Sequence, residues 1–271
     1  MQENLFDIKG KVVVITGGSG VLGSALSVYL GRQGAFLAVL ARNEAKGNAL
    51  VKNIKEEGGK ALFHICDVTV RTSLEAARDA VVKAYGKVDV LINAAGGNMA
   101  GATIAPGQTC LDLSDDALRK VIDINLMGTI LPTNVFLEAM KNQSEGVIVN
   151  FSSESSLRPL TRVIGYSAAK AALNNYTRYM AAELAMKFGE GFRINAIAPG
   201  FFLTEQNRTL LTQEDGSLTV RGENIISHTP FRRFGKPEEL CGTIHYLISD
   251  ASRFVTGTVA IVDGGFDAYS I

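Results

Sequence analysis

The sequence has few cysteines, no tryptophan and no excess of charge of either sign, and each shortage excludes a class of protein. Among 271 residues there are three cysteines, Cys66, Cys110 and Cys241, and no two of them have CxxC spacing. A disulfide framework is therefore not expected, and a reducing compartment, the cytoplasm, is predicted. The 27 basic and 27 acidic side chains balance, which argues against a nucleic-acid partner because nucleic-acid-binding domains carry a basic excess.

Long apolar runs and metal-ligand patterns are also missing. No run approaches the ~18 apolar residues that a membrane span needs, so no membrane partner is expected. The polar N-terminal stretch MQENLFDIKGK lacks the apolar segment of a signal peptide. The histidines, His64, His228 and His245, have no acid or cysteine at ligand spacing, so no metal site is expected.

The sequence does contain short apolar runs that alternate with helical patterns. The runs at 11–16 (KVVVIT) and 88–95 (VDVLINAA) have no polar alternation, which is typical of strands buried on both faces of a parallel sheet. Helical patterns cover, for example, 21–33 and 164–188. We therefore predict an α/β fold, a Rossmann-type doubly wound parallel sheet of about seven strands with helices on both faces. No linker or repeat divides the chain, so residues 1–271 are expected to form a single domain.

Two further regions of the sequence differ from each other in their pattern. Residues 114–131 and 133–141 indicate two helices, whereas residues 201–234 show no clear pattern. A patternless stretch of this length inside a compact domain is usually a functional loop. We therefore predict that residues 201–234 form a substrate lid.

The first strand is followed by a glycine-rich turn, TGGSGVLG over 16–23, and then by a helix. Glycines allow a tight turn and close approach to a pyrophosphate, and the N–H groups at a helix N-terminus bind anions. The position between a strand and a helix, at the start of a βαβ unit, is the context that a dinucleotide site requires. An ordinary tight turn is the alternative.

The end of the second strand bears on the choice of cofactor. It reads Leu40-Ala41-Arg42-Asn43, without the acid that often holds the 2′-hydroxyl of the ribose. An arginine at this position accommodates a 2′-phosphate, so NADP is predicted in preference to NAD. The alternative is that Arg42 is a solvated surface cation.

A tyrosine and a lysine at helical spacing form a second chemical signal. Tyr166 and Lys170 share one face of the 164–188 helix. A neighbouring ammonium stabilises a phenolate and lowers the pKa of the phenol, as a general acid or base requires. A hydroxyl at the end of the fifth strand, Ser152 or Ser153, is expected to share the same cleft. A simple surface pair is the alternative, and the glycine turn argues against it.

These motifs together resemble the short-chain dehydrogenase/reductase family, in its single-domain branch, over nearly the whole chain. The resemblance rests on the glycine turn 16–23, Asp67-Val68, Asn93-Ala94-Ala95-Gly96, Asn125, Ser153, Tyr166-xxx-Lys170, Pro199-Gly200 and the closing VDGG at 262–265.

The resemblance implies an NAD(P)-dependent oxidoreductase with four catalytic residues. Tyr166 would be the general acid for carbonyl reduction or the base for alcohol oxidation. Lys170 would tune Tyr166 and hold the nicotinamide ribose, and Asn125 would position a water that relays protons to Lys170. The family's serine precedes its tyrosine by thirteen positions, which selects Ser153, rather than Ser152, to polarise the substrate oxygen.

The resemblance also implies a cofactor site. In it, Asp67 and Val68 would contact the adenine, Asn93 and its neighbours would line the adenosine side, and residues 199–204 would hold the nicotinamide amide. The expected cofactor-binding residues are Gly17, Ser19, Gly20, Val21, Leu22, Arg42, Asn43, Asp67, Val68, Asn93, Ala94, Ala95, Tyr166, Lys170, Pro199, Gly200, Phe202 and Thr204.

The spacing of the turn glycines departs from the family's pattern. Single-domain members usually read TGxxxGxG, whereas Gly17, Gly20 and Gly23 read TGxxGxxG, with Val21 at the usual middle glycine. Either the turn is tighter by one residue, or Gly20 makes the close approach to the phosphates.

Polar and basic side chains near these motifs predict a polar, anionic substrate such as a sugar acid, because arginine pairs with carboxylates through two hydrogen bonds. Arg221, Arg232 and Arg233 also lie in or beside the expected lid. The alternative is that most of these arginines are solvated. The candidate substrate-binding residues are Asn98, Ser155, Arg158, Arg162, Arg208 and His228.

The stretch GGNMAGAT after Asn93-Ala94-Ala95 and the tail FDAYSI resemble a sugar-acid subgroup of the family, D-mannonate oxidoreductase-like proteins that reduce fructuronate. Two alternatives remain open. One is a reductase of another ketone, a polyol or keto-sugar or a 3-oxoacyl thioester, and the other is a non-catalytic dinucleotide-binding protein. The resemblance further implies a homo-oligomer, a tetramer or a dimer, in which helices at 114–141 and 164–188 pair.

Overall fold

A parallel sheet forms the centre of the computed structural model, which describes residues 4–205 and 207–269. The seven strands are β1 Val12–Thr16, β2 Phe36–Ala41, β3 Lys60–Ile65, β4 Val90–Asn93, β5 Gly146–Phe151, β6 Phe192–Pro199 and β7 Val259–Val262. They lie in the order β3-β2-β1-β4-β5-β6-β7, and every neighbouring pair is parallel. The predicted doubly wound α/β fold, in one domain, is confirmed.

The helices cover both faces of the sheet. They are α1 Val21–Arg32, α2 Glu44–Glu56, α3 Arg71–Tyr85, α4 Asp115–Ile122, α5 Gly128–Met140, α6 Ile164–Phe188, α7 Arg208–Leu211, α8 Val220–His228 and α9 Cys241–Ile248. Alternate side chains of β1 divide between two cores. Val13 and Ile15 pack in the core that includes α1 and α9, whereas Val12 and Val14 pack in the core that includes α3, α5 and α6. This division explains why the strand has no polar alternation, since each face is buried.

The strand order reverses between β1 and β4, because β1 pairs with β2 on one side and with β4 on the other. In open α/β sheets, ligands bind in the crevice outside the carboxyl ends of the strands at such a reversal. The glycine turn follows β1 and Asn93-Ala94-Ala95-Gly96 begins at the end of β4. The topology therefore brings both motifs to one crevice.

Two local expectations differ from the structure. The helices expected at 114–131 and 133–141 do not separate at residue 132, because α5 continues through Pro132. The interruption lies earlier, in a π turn over Asp123–Met127. Residues 201–234 are more regular than expected, since they include α7 and α8. The sequence signal for α8 was its cap: the Thr219 hydroxyl accepts a hydrogen bond from the N–H of Gly222 at 3.1 Å.

In the part of the chain that the structure describes, no helix combines the length and the apolar character of a bilayer span. Within the same residues, no group of three or more His, Cys, Asp or Glu side chains is arranged to hold a metal ion. All three cysteines are free thiols: Cys66 and Cys241 are buried and Cys110 is exposed.

Candidate active site

The glycine turn is packed too tightly for any other residue at two positions. Gly17 has a φ of +65°, and a Cβ there would lie 2.8 Å from the Cα of Ala95. A Cβ at Gly23 would lie 2.5 Å from the carbonyl oxygen of Gly17. These glycines let β1, β4 and α1 approach each other closely, which places the N-terminus of α1 at the crevice.

Gly20 has a different environment. It is the N-cap of α1, in an extended conformation and without a capping side chain. Among the described atoms, a Cβ at Gly20 would meet only the carbonyl oxygen of Gly17, at 3.3 Å. The space in front of the helix N-terminus is therefore open, and its first N–H groups can bind an anion such as a pyrophosphate. This geometry favours the alternative in which Gly20, and not position 21, makes the close approach.

A groove of about 380 Å³ begins at this N-terminus and crosses the ends of β2 and β3; we call it the α1 groove. It is lined by twelve of the expected cofactor-binding residues: Gly17, Ser19, Gly20, Val21, Leu22, Arg42, Asn43, Asp67, Val68, Ala94, Ala95 and Thr204. Asn93 does not line it. The Asn93 side chain is buried and donates to the Thr133 hydroxyl and to Oδ1 of Asn150, both at 3.0 Å.

The far end of the α1 groove carries charges of both signs. Arg42 is exposed there. The Asp67 carboxylate accepts hydrogen bonds from the N–H of Thr69 at 2.9 Å and from its hydroxyl at 2.6 Å. The Thr69 hydroxyl and amide, with a smaller contribution from the Arg42 cation, hold the pKa of Asp67 below its usual value. Asp67 is therefore an ionised acceptor near Arg42.

Tyr166 and Lys170 lie in the first turns of α6, one turn apart. Nζ of Lys170 is 5.6 Å from the centroid of the Tyr166 ring and donates to the carbonyl oxygen of Phe151 at 2.7 Å. The Lys170 side chain is buried, and desolvation lowers its pKa to about 7. Burial also raises the pKa of Tyr166, an effect that the Ser153 hydroxyl partly offsets. The expected lowering of the Tyr166 pKa by Lys170 is therefore not found, because burial dominates and the group that opposes it is the Ser153 hydroxyl.

The two serines at the end of β5 have different surroundings. The Ser152 hydroxyl is buried and donates to Oδ1 of Asn174 at 2.6 Å. The Ser153 hydroxyl accepts from the N–H of Ser155 at 3.2 Å and lies close enough to Tyr166 to hydrogen-bond its phenol. The Ser152 hydroxyl is thus occupied by its hydrogen bond to Asn174, whereas the Ser153 hydroxyl faces Tyr166.

Asn125 lies in the π turn, at the point where a regular helix is interrupted. Its Nδ2 donates to the carbonyl oxygens of Gly97 at 2.6 Å and Val121 at 2.8 Å, and its Oδ1 accepts from the N–H of Gly97 at 3.0 Å. A Cβ at Gly96 would lie 2.7 Å from Oδ1 of Asn125 and 3.3 Å from Nζ of Lys170. The Asn125 amide therefore fixes the loop that passes beside Lys170.

A second cavity, of about 280 Å³, contains the Ser153, Tyr166 and Lys170 side chains; we call it the Tyr166 cavity. Five residues line both the α1 groove and this cavity: Leu22, Ala94, Gly96, Phe151 and Thr204. The expected cofactor-binding residues Pro199, Gly200 and Phe202 also line it. The two spaces are therefore adjacent, as an extended ligand in the groove and a second ligand in the cavity would require.

The candidate substrate-binding residues are spread over different environments. Asn98 and Ser155 line the Tyr166 cavity, and Oδ1 of Asn98 is buried without a hydrogen-bond partner among the described residues. Nε of Arg158 pairs with Asp267 at 2.8 Å. Nε of Arg162 donates to the carbonyl oxygen of Ile104 at 2.6 Å.

Two further candidates from the expected lid lie outside this cavity. Arg208 and His228 are exposed, and neither lines the Tyr166 cavity. The Nδ1 atom of His228 is 2.8 Å from the carbonyl oxygen of Asn224, in its own helix.

Sequence reasoning left two residues near the site out of its candidate site residues. Glu154, directly after Ser153, is 1% exposed. Desolvation, followed by repulsion from Asp267 and Asp263, raises its pKa to about 7. The second is Arg221 of α8, which lines the Tyr166 cavity. The sequence placed Arg221 in or beside the expected lid, together with Arg232 and Arg233, but gave no reason to select it from among them.

Comparison with known proteins agrees with this geometry. The family model described as short chain dehydrogenase matches residues 11–215. The Bacillus subtilis oxidoreductase UxuB, whose name marks it as uncharacterised, is 45% identical over 279 residues, which cover 100% of this chain and 98% of the relative.

Two solved structures carry cofactors. A Haemophilus influenzae protein provisionally named a D-mannonate oxidoreductase, with bound NAD, is 37% identical, covers 97% of both chains and has a TM-score of 0.90. A gluconate 5-dehydrogenase from Burkholderia cenocepacia, in complex with NADP and tartrate, is 29% identical, covers 98% of both chains and has a TM-score of 0.86. The fold, the glycine turn and these relatives lead to one conclusion: the chain belongs to the short-chain dehydrogenase/reductase family and is an NAD(P)-dependent oxidoreductase.

Proposed function

We propose that this oxidoreductase transfers a hydride between its nicotinamide cofactor and the carbonyl or secondary alcohol of a sugar acid of the D-fructuronate/D-mannonate type. The observation that carries the proposal is the charge of the Tyr166 cavity. Among the described residues, its charged lining side chains are Lys170 and Arg221, and no carboxylate lines it. Such a cavity is complementary to an anion. The names of the Haemophilus influenzae and Burkholderia cenocepacia relatives support the same substrate class.

The proposed proton chemistry uses the side chains that meet at the cavity. Tyr166 donates a proton to the carbonyl oxygen in reduction and accepts one from the alcohol in oxidation. The Ser153 hydroxyl orients and polarises the same oxygen. Lys170, when protonated, stabilises the Tyr166 phenolate and holds the nicotinamide ribose. The nicotinamide, when bound, supplies or accepts the hydride.

In the same proposal Asn125 is a positioning residue. Its amide holds Gly97 through two hydrogen bonds, and Gly96 lies between Asn125 and Lys170. Asn125 would thereby keep the loop open beside Lys170, so that a water can relay protons to its amine.

We also propose a preference for NADP. Arg42 is exposed at the end of β2 and lines the α1 groove. A guanidinium at this end of the groove attracts a 2′-phosphate. Apart from Asn93, every other residue expected to bind the cofactor lines the α1 groove or the Tyr166 cavity, and we propose that these residues contact it.

The segment 201–234 is proposed to act as the lid of the Tyr166 cavity. Asn207, Leu210 and Leu211 from this segment line the cavity. Nζ of Lys46, in α2, pairs with the carboxylate of Glu205 at 2.8 Å. Because Glu205 also lines the α1 groove, this ion pair would need to rearrange if the segment moves.

One observation favours a different ketone as the substrate. Several apolar side chains line the Tyr166 cavity, among them Leu160, Val163, Phe201, Leu210 and Leu211. An apolar wall suits the carbon chain of a less polar ketone or of a 3-oxoacyl thioester. A reductase of such a ketone is therefore the second candidate function.

Steady-state assays with NADPH and NADH separate the two candidates. We expect reduction of D-fructuronate or D-tagaturonate with a higher kcat/KM than that of neutral keto-sugars or 3-oxoacyl thioesters. Activity restricted to lipid-like ketones would refute the proposed substrate class.

The proton-transfer role is tested by Tyr166→Phe. The variant should lose turnover by about 10²- to 10⁴-fold, because a positioned general acid contributes that much, and should still bind NADPH in a fluorescence titration. Tyr179→Phe, on an exposed side chain of the same helix, is the matched control. Unchanged turnover in Tyr166→Phe would contradict the mechanism.

The homo-oligomer and the cytoplasmic location stay predictions. Light scattering coupled to size-exclusion chromatography would measure the oligomeric state directly.

A further inference from the structure

Arg221 is built into the wall of the Tyr166 cavity. It lies in the first turn of α8 and is partly buried. Its guanidinium donates to the hydroxyl of Thr161 at 3.0 Å and to the carbonyl oxygen of Thr161 at 3.3 Å. These two bonds orient the planar group, and its remaining N–H groups are available for another acceptor.

Arg221 has no carboxylate partner among the described residues, unlike other arginines in this region. Arg158 pairs with Asp267 at 2.8 Å and Arg233 with Glu239 at 2.6 Å. Arg221 instead lies near a second cation, that of Arg162. Burial lowers the pKa of Arg221, and the charge of Arg162 lowers it further. Two adjacent guanidinium groups without an acid between them are stabilised when an anion binds.

Arg162 is held in this arrangement by an unusual backbone. Its φ of +77° lies in the left-handed region, which is unfavourable for a residue with a side chain. Nε of Arg162 donates to the carbonyl oxygen of Ile104 at 2.6 Å, and the carbonyl oxygen of Arg162 accepts from the N–H of Ile104 at 3.0 Å. The two arginines are therefore fixed from different sides, Arg162 by the 104 loop and Arg221 by Thr161.

Arg221 lines the same cavity as the catalytic side chains Ser153 and Tyr166. The other cation that lines the cavity, Lys170, donates to the carbonyl oxygen of Phe151 and is used by the proposed reaction. Arg221 lines the same cavity but comes from α8, in the proposed lid. A substrate with its carbonyl at Tyr166 can therefore place a charged group at Arg221.

We propose that Arg221, supported by Arg162, binds the carboxylate of the substrate and makes the enzyme select anionic ketones over neutral ones. This inference rests on the proposed function and adds the residue that determines specificity. It also assigns a role to α8, because this helix carries the guanidinium that lines the cavity and would meet the bound anion.

The experiment compares two substrates that differ in one group. D-Fructuronate has a carboxylate where D-fructose has a hydroxymethyl group. Arg221→Gln should raise the KM for fructuronate by about 10- to 100-fold, the loss expected for one charge-assisted pair, with kcat changed much less. The kcat/KM for fructose should stay within about 2-fold. Arg221→Lys should recover part of the loss, because it keeps the charge without the planar fork.

The matched control is Arg178→Gln. Arg178 is exposed on α6 and does not line the cavity, so its removal should leave both substrates unaffected. Binding of NADPH, measured by fluorescence titration, should be unchanged in all three variants. A folded Arg221→Gln protein with normal NADPH binding excludes general damage to the site.

A second measurement separates this inference from the proposed function. Calorimetric titration with D-mannonate in the presence of NADPH measures binding of the carboxylate without turnover, because the reduced cofactor cannot accept a hydride from the alcohol. Loss of mannonate binding in Arg221→Gln supports the inference, even if catalysis is slow. Wild-type protein that reduces fructuronate while Arg221→Gln keeps its KM would overturn this inference alone. Wild-type protein that neither binds mannonate nor reduces fructuronate would overturn the substrate class as well.

Discussion

The carboxyl group of Glu154, the buried residue directly after Ser153, lies within the electrostatic influence of the half-buried carboxylate of Asp267. Glu154 is 1% exposed, and neither of its oxygens accepts a hydrogen bond from a donor among the described residues. Two ionised carboxylates would repel each other there, whereas a protonated Glu154 can donate to Asp267. Asp263 adds further negative charge, and Arg158 opposes it. Burial and these charges together favour the protonated form of the Glu154 carboxyl group.

The raised pKa of Glu154 predicts that the free energy of unfolding depends on pH, and that Glu154→Gln removes this part of the dependence. The pKa of Glu154 is raised from 4.5 to about 7 in the folded state. Its stabilising contribution is therefore complete below pH 4.5 and is lost as the pH rises to about 7, where folded protein also ionises. The loss amounts to about 3 kcal/mol. Since glutamine stays neutral and can donate to Asp267, the variant should lose less stability over this range.

Urea denaturation at intervals between pH 4.5 and 8 measures this difference. The advantage of Glu154→Gln over wild type should grow up to about pH 7 and then level off. Glu190→Gln, at an exposed position, should follow the wild-type curve. An advantage that does not depend on pH would contradict the raised pKa of Glu154.

Lys170 predicts the opposite dependence on pH, because a buried ammonium destabilises the folded state. Its pKa falls from 10.5 to about 7 on folding. Below pH 7 both states bind the proton and the folded state bears the full cost of burial. Between pH 7 and 10.5 only the unfolded state binds it, so stability rises with pH by on the order of 5 kcal/mol. Lys170→Met should therefore be more stable than wild type near pH 6.5.

The expected net gain is about 2 kcal/mol, because the variant also loses the hydrogen bond to the carbonyl oxygen of Phe151. The gain should shrink as the pH rises toward 10, and turnover should be lost at every pH. Thermal unfolding of the variant and of Lys187→Met, at an exposed position on the same helix, provides the test. A lower stability of Lys170→Met at pH 6.5 would show that its ammonium is well solvated.

Arg42 predicts the preference between the two nicotinamide cofactors. Arg42→Ala should raise the KM for NADPH by about 10- to 100-fold, because it removes a charge-assisted contact with the 2′-phosphate. The KM for NADH should change by less than about 3-fold. Arg32→Ala, whose side chain pairs with Glu57 outside the α1 groove, should change neither. A similar loss with both cofactors, or a wild-type preference for NADH, would exclude the assignment.

Much of the fold follows from local pattern. The helix predicted at 164–188 agrees with α6 at both ends, and the strand predicted at 11–16 agrees with β1 to within one residue, because long periodic helices and buried strands carry strong local signals. The short helix α8 was missed, since nine residues with an internal Gly222 give a weak pattern. The π turn at Asp123–Met127 was missed because it depends on the packing of Asn125 against the Gly97 loop.

Part of the candidate site could likewise be predicted from the sequence, and part could not. The sequence motifs were sufficient to select Ser153 over Ser152, and the structure gives the two hydroxyls different surroundings: Ser152 contacts Asn174 and Ser153 faces Tyr166. The substrate arginines could not be ranked from the sequence. Arg158 is paired with Asp267, which lies 109 residues away in the chain, and no local pattern indicates that partner.

The layered α/β fold, the glycine turn and the spacing of Tyr166 and Lys170 follow from local sequence, because they depend on residues close together in the chain. Which charged side chains line the Tyr166 cavity without an opposite charge beside them depends on long-range contacts instead. Arg221 meets Thr161 from 60 residues away, and the charge that acts on Glu154 comes from Asp267, near the other end of the same half of the chain. Burial and charge pairing depend on every element that packs around a group, so the pKa values of Lys170 and Glu154 and the anion-binding role proposed for Arg221 emerge only when the chain is folded.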